Sequence, residues 1–271
     1  LSVTRQAVFD DQGHELDLLL CLNGLPVATA ELKNPFTGQD YTNAIKQYKE
    51  NRDSRNSLFK FKRGALVHFA IDPYEVHMTT RLEDSETFFL PFNKGRDGGN
   101  GNPNNPNGYR TSYLWEQIWQ KDSWLDIIGS FIDHQIEKAK GDAPPEERIV
   151  FPRYHQLEAV RKLTSATKQT GTGENYLVEH STGSGKSMTI AWLAYKLFSL
   201  HDENDKAVFD NVLVLSDRIV LVNQLGDTVK QFEKTEGVVK MVDDSDELAY
   251  ILENYKKIVI STQQKFPFAQ D

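Results

Sequence analysis

Two groups of residues in this chain have types and spacings that could do chemistry. The first is Asp17, inside the apolar run Leu16 to Leu22, together with Glu31-Leu32-Lys33, which closes a second run beginning at Val27. Asn23-Gly24, between the runs, is the dipeptide best suited to a two-residue hairpin. Residues two apart on a strand share a face, so Glu31 and Lys33 point the same way, and the hairpin can bring Asp17 beside them. Two carboxylates on adjacent strands make a hard-oxygen site that suits Mg²⁺. A cation held there would polarise a phosphodiester and lower the pKa of a bound water. Lys33 would orient that water and offset charge on phosphorus. An Asp in a leucine-rich strand is costly to bury without a partner, which favours a functional reason for it. The same pattern can also be a cross-strand ion pair between Asp17 and Lys33.

The second group is His180-Ser181-Thr182-Gly183-Ser184-Gly185-Lys186-Ser187, between Tyr176-Leu177-Val178 and the apolar-periodic segment Met188 to Leu200. Strand, glycine-rich turn, Lys-Ser and helix is the layout of a nucleotide-phosphate cradle. Gly183 and Gly185 let successive backbone N–H groups curl inward around an anion, with Thr182 and Ser184 in the same turn. The following helix presents its N-terminal N–H groups and positive dipole end to that anion. Lys186 would reach the β- and γ-phosphates, and the Ser187 hydroxyl would hold Mg²⁺. The general form of the motif has Gly at the position of His180, which this chain lacks.

These residues need scaffolds, and the periodicities supply them. In the first region, strands are predicted at Leu16–Leu22, Val27–Leu32, Ala65–Ala70 and Tyr74–Met78, with a helix at Tyr41–Asn51. Gly95 to Gly108 is turn chemistry without a period. Ser112 to Ala139 reads as a helix pair anchored by Trp115, Trp119, Trp124, Ile127, Ile128, Phe131 and Ile132. Residues 141–152 read as a linker. Beyond it, helix Tyr154–Thr167, strand Tyr176–Glu179, helix Met188–Leu200, strand Asn211–Ser216, helices Arg218–Phe232 and Ser245–Asn254, and strand Lys257–Ser261 imply a parallel sheet with crossover helices. The fold class is therefore α/β in two domains.

The 271 residues carry a net charge of −8, which argues weakly against a nucleic-acid partner. Lys46, Lys49, Arg52, Arg55, Lys60, Lys62 and Arg63, against Glu50 and Asp53, form a local basic stripe that could track a phosphate backbone or be a solvated helix face. The single cysteine, Cys21, excludes an intramolecular disulfide and fits a reducing cytosol. No 18-residue apolar run or secretory pattern is present, so no membrane partner is expected. The chain opens at Leu1 without Met and reads as part of something larger.

Asp17 followed by Glu31-Leu32-Lys33-Asn34-Pro35 resembles the PD-(D/E)xK nuclease core. Thr-Gly-Ser-Gly-Lys-Ser resembles motif I of superfamily 2 helicases and translocases, where the first Gly is often absent. The order of the two resembles the restriction subunit of type I restriction–modification enzymes. Gly24-Leu25-Pro26 resembles that family's nuclease strand pair, and Asn56-Ser57-Leu58-Phe59-Lys60 the segment after its nuclease helix. Arg153-Tyr154-His155-Gln156 resembles the motor's adenine-reading Gln motif. Asp217-Arg218 with Gln224 resembles motif Ia, and Ser261-Thr262-Gln263-Gln264-Lys265 the next motor motif.

The resemblance implies a nuclease domain in 1–140, N-terminally truncated, with a restriction-endonuclease-like mixed sheet. It implies the first RecA-like motor lobe in 153–271, C-terminally truncated. It implies catalytic Asp17, Glu31, Lys33 and a helper Gln47, with Asn51 where the family often has Tyr and Tyr48 adjacent to Gln47. Metal ligands would be Asp17, Glu31 and Ser187, and the cofactors ATP and Mg²⁺. Partners would be double-stranded DNA and the modification and specificity subunits of a cytoplasmic complex. The sequence lacks an Asp-Glu-x-His motif and a second lobe, so this chain is expected to bind ATP without turning it over. A repair helicase–nuclease fusion remains an alternative, as does a P-loop switch or assembly ATPase with a non-catalytic binding domain.

Overall fold

In the computed structural model, which describes residues 1–96, 100–137 and 145–265, Asn23 and Gly24 both take left-handed backbone, φ 50° and 81°. That pair of positive angles is what a two-residue primed hairpin turn requires. It joins β2 (Glu15–Leu22) to β3 (Leu25–Leu32). Next to the turn, Leu22 pairs with Leu25 and Cys21 with Pro26; beyond a register shift at Leu20/Cys21, Leu20 pairs with Ala28, Leu19 with Thr29 and Leu18 with Ala30. The shift decides the chemistry. The turn's own register, continued, would set Asp17 across from Ala30. The shifted register, continued one residue past Leu18–Ala30, sets it across from Glu31, on the same face, and a one-residue slip is enough to change faces.

The six-stranded mixed sheet follows the chain in order. It contains β1 (Ser2–Val8), β2, β3, β4 (Val67–Ile71), β5 (Val76–Thr79) and β6 (Leu90–Pro91). Only β3 and β4 run parallel, which demands a crossover. The crossover carries α1 (Tyr41–Asn51), started by an Asp40–Asn43 capping box. Ala44 and Tyr48, one turn apart, bury against Leu16, Phe59 and Ala70. Tyr48 OH and Thr29 Oγ1 are 2.8 Å apart, and Thr29 Oγ1 is 2.8 Å from His68 Nδ1. Burial pushes the His68 imidazole down to about 3, so the ring is neutral. This network fixes the register of α1 on β3.

Gly64, ahead of β4, has no room for a side chain: a Cβ there would lie 2.1 Å from the Leu58 carbonyl oxygen. Backbone cannot yield as a side chain does. Gly64→Ala is expected to cost about 2–3 kcal/mol in denaturant unfolding. Gly129→Ala, with nothing within 4 Å of its Cβ, should be neutral or slightly stabilising.

Three expectations are corrected. The helix pair is instead a π-turn, Leu114–Ile118, then α2 (Lys121–Ser130), then β7 (Asp133–Glu137). The helix stops where Ile127 O accepts both Phe131 N and Ile132 N, and strand pairing to a distant segment overrides local propensity. That segment, β8 (Glu146–Val150), belongs to the stretch read as linker. Residues 138–144 lie outside the described residues. The expected strand Tyr176–Glu179 is irregular, with Leu177 93% exposed. None of the strands among the described residues pairs with it, and an apolar run with no hydrogen-bonded neighbour has no ladder to join.

The chain divides into two compact units, Leu1–His155 and Gln156–Asp271. The division falls in the first turn of α3 (Tyr154–Thr170). The second unit continues with α4 (Lys186–Phe198), β9 (Val212–Ser216), α5 (Ile219–Gln231), β10 (Val239–Met241), α6 (Ser245–Asn254) and β11 (Ile258–Thr262). Its sheet, in the order β10-β11-β9, is parallel throughout. The central strand β11 is buried along its whole length, as parallel strands covered by helices must be.

Candidate functional site

Thr29 and Glu31 on β3 and Lys33 just past its end alternate along one extended run and share a face, and each meets α1 or its end. Lys33 Nζ donates to Gln47 Oε1 at 2.5 Å. Asp17 Oδ2 accepts the backbone N–H of Leu32, between Glu31 and Lys33, at 2.7 Å. The structure thus brings Asp17, Glu31, Lys33 and Gln47 together at one end of β3. The alternative Asp17–Lys33 ion pair is not formed; Asp17 accepts from Leu32 N–H and Lys33 donates to Gln47 instead.

Glu31 is fully buried and pairs with Arg52, 5% exposed, at 2.6 Å. Arg52 therefore leaves the basic stripe read from the sequence. Arg55 is held by Asp53 through Nε and Nη2 at 2.9 and 2.8 Å, and Lys62 by Glu147. Nothing local in the sequence marks Arg52 as the partner of Glu31, 21 positions away; only the crossover joins them.

Burial pushes the Glu31 carboxyl up to about 7, Asp17 adding to the rise and Arg52 and Lys33 opposing it. A carboxyl raised from 4.5 holds its proton longer folded than unfolded, so its contribution to stability falls as pH climbs from 4.5 through 7. The loss is on the order of 3 kcal/mol. Glu31→Gln should therefore gain stability relative to wild type between pH 5 and pH 8, read from urea unfolding at both. Equal differences at the two pH values would contradict the shift.

Mg²⁺ fits this site. Glu31 Oε2 is buried and has no hydrogen-bond partner among the described residues. Asp17 stands on the neighbouring strand, and Mg²⁺ is commonly held by one or two carboxylates with substrate phosphates completing its shell. The described residues contain no cluster of three or more His, Cys, Asp or Glu that could hold a metal, which argues against an all-protein cage.

In the second unit Gly183 and Gly185 take left-handed backbone, φ 75° and 82°, a conformation that favours glycine. Gly185 caps α4, which begins at Lys186. Thr182, Gly183 and Lys186 are exposed, Ser187 is half-buried and Ser184 is buried. Lys186 Nζ donates to the loop's own carbonyls, His180 O at 3.2 Å and Ser181 O at 2.9 Å. Gln156, expected to meet adenine, donates its side-chain N–H to Gly185 O at 3.0 Å and Ser184 O at 3.3 Å, and so buttresses the loop from behind. The left-handed turn, the helix N-terminus and Lys186 together suit an anionic phosphate chain. Gln264 Nε2 donates to Asp217 O at 3.0 Å, joining the segments that follow the carboxyl ends of β9 and β11.

Residues 1–87 match the family model described as type I restriction enzyme R protein N terminus, and residues 155–271 match SWI2/SNF2 ATPase. The chain is 24% identical to the putative type I restriction enzyme MjaVIIIP endonuclease subunit of Methanocaldococcus jannaschii, over 89% of this chain and 22% of that protein. It is 24% identical to the HindI endonuclease subunit of Haemophilus influenzae, over 94% and 24%. It is 26% identical to the SauCOLORF180P endonuclease subunit of Staphylococcus aureus, over 97% and 26%. The chain thus spans about a quarter of the length of the curated relatives it matches. No solved structure matches it significantly. With both matched segments in one polypeptide, and relatives aligned across nearly all of it, the chain is similar to the HsdR-type restriction subunits of type I restriction enzymes.

Proposed function

We propose that this chain supplies the PD-(D/E)xK nuclease domain, 1–140, and the first RecA-like motor lobe, 153–271, of a restriction subunit that drives duplex DNA past itself with ATP and cuts it with Mg²⁺. The observation that carries the reading is the contact between Lys33 and Gln47 beside Asp17 and Glu31. Lys, a helper amide and two carboxylates on one face are what phosphodiester hydrolysis asks of a protein.

Asp17 and Glu31 would hold Mg²⁺, which supplies Lewis acidity to the scissile phosphate and a more acidic bound water. Gln47 keeps Lys33 extended along the face, where its ammonium orients a water and offsets charge on the phosphate. In the motor lobe, the Thr182–Ser187 loop would hold the phosphates of ATP and Ser187 its Mg²⁺. Gln156 sets the loop's shape. The proposed partners are double-stranded DNA and the modification and specificity subunits, in the cytoplasm. No helix among the described residues is long and apolar enough to cross a membrane.

The test uses the full-length protein with its partner subunits. Expected are nicks in supercoiled DNA that require Mg²⁺, and DNA affinity that falls steeply with salt as phosphate contacts release counterions. Lys60 and Arg63, both exposed, are the stripe residues to substitute first. Cleavage without a divalent cation, or salt-independent binding, would refute the reading.

A further inference from the structure

Arg52 is held at every nitrogen. Nε and Nη2 reach Glu31 Oε1 at 2.8 and 2.6 Å, Nη2 also donates to Glu15 O at 2.9 Å, and Nη1 donates to Asn51 O at 3.2 Å. The guanidinium carbon lies 5.0 Å from the centre of the Phe9 ring. Glu15 begins β2 and Asn51 ends α1, so the guanidinium is fixed from two elements before it touches β3.

An Arg–carboxylate pair ordinarily spends one nitrogen on each oxygen. Here both prongs converge on Oε1, and Oε2 is left buried with no hydrogen-bond partner among the described residues. Such an oxygen carries its desolvation cost uncompensated, and asks for a reason. Adhesion between helix and sheet does not provide one, since a symmetrical fork would satisfy both oxygens and well-packed apolar residues often hold as firmly.

We propose that Arg52 is a positioning residue for the cation site: its fork occupies Glu31 Oε1 and so reserves Oε2 for a divalent cation shared with Asp17. The inference rests on the nuclease reading of Asp17 and Glu31. Arg52 and Gln47 also line one open cleft with Phe9, Glu15 and Asp53. The residue that holds Glu31 and the residue that holds Lys33 thus border the same opening, whereas Asp17, Glu31 and Lys33 themselves do not line it. Partners that orient a metal ligand typically contribute 10- to 100-fold in metal affinity.

The test is Mn²⁺ binding to the chain by titration calorimetry, without nucleotide, with folding checked by near-ultraviolet circular dichroism. Wild type is expected to bind, and Glu31→Ala to lose that binding. Arg52→Met should bind about 10- to 100-fold more weakly. Arg52→Lys, which keeps the charge without the fork, should fall between the two. If Arg52→Met does not fold, Arg52→Lys and Arg52→Gln decide the matter by the same loss. Unchanged affinity in the folded variants makes Arg52 an adhesive only. Tighter binding makes it a competitor of the cation, because removing a guanidinium relieves repulsion. Either result overturns this inference and leaves the nuclease reading standing. Wild-type binding that is absent, or insensitive to Glu31→Ala, overturns both.

Discussion

Lys33→Ala in the full-length protein is expected to lower DNA cleavage by about 10²- to 10³-fold while DNA-stimulated ATP hydrolysis stays at the parental rate. The ammonium is the charge that Gln47 holds on the Asp17–Glu31 face, and its loss removes a preorganised group from the reacting phosphate. The fold should tolerate the change. Lys33 is half-buried, and its backbone N–H stays bonded to Ile71 O at 2.8 Å. The phosphate loop lies in the other unit, at residues 182–187, and no atom of it is altered. Glu31→Ala should abolish cleavage as completely, but it also removes the partner of the buried Arg52 guanidinium, so a lost ligand is harder to tell from a disturbed fold. Asp17→Ala frees Leu32 N–H as well. Lys33→Ala is thus the cleanest separation of the two activities. Parental cleavage by a folded Lys33→Ala protein would end the nuclease assignment.

What could be read from the residues, and what could not, divides along physical lines. The hairpin was legible because Asn-Gly is a local signal with a local cause. Helices α1 and α6 were legible from end to end because apolar spacing and an Asp cap coincide at each. Asp17, Glu31 and Lys33 were legible as candidates by type and spacing, Gln47 only through the family resemblance, and the structure brings the four together. The bulge that aligns Asp17 with Glu31 was not legible, because a register shift leaves no mark in composition. Nor was Arg52, which looks like any other cation on a basic helix until the crossover delivers it to Glu31. The run Tyr176–Glu179 has the composition of a buried strand, yet a strand is made by its neighbours, and composition cannot supply those. Likewise β7 and β8 are polar and short, and only their mutual pairing makes them strands.

Lys186→Ala should be as severe in the motor as Lys33→Ala in the nuclease. The expected result for the full-length protein is ATP hydrolysis reduced by about 10²- to 10³-fold, and with it the loss of cleavage that depends on translocation. Lys186 is the first residue of α4, on a loop shaped by two left-handed glycines and buttressed by Gln156. Its ammonium lies against the loop, on His180 O and Ser181 O, within the turn that would hold the phosphates. Alanine is a better helix former than lysine and keeps the α4 start, so the variant should melt with the parent. That separates a lost charge from a lost fold. Gly183→Ala makes a useful companion: nothing crowds its Cβ, but φ 75° strains any L side chain. It should weaken phosphate binding through loop shape alone, with Lys186 intact. Measured side by side by phosphate release with saturating DNA, Lys186→Ala should lower kcat and Gly183→Ala should chiefly raise KM for ATP. Normal turnover in Lys186→Ala would mean that this loop does not hold the reacting phosphate.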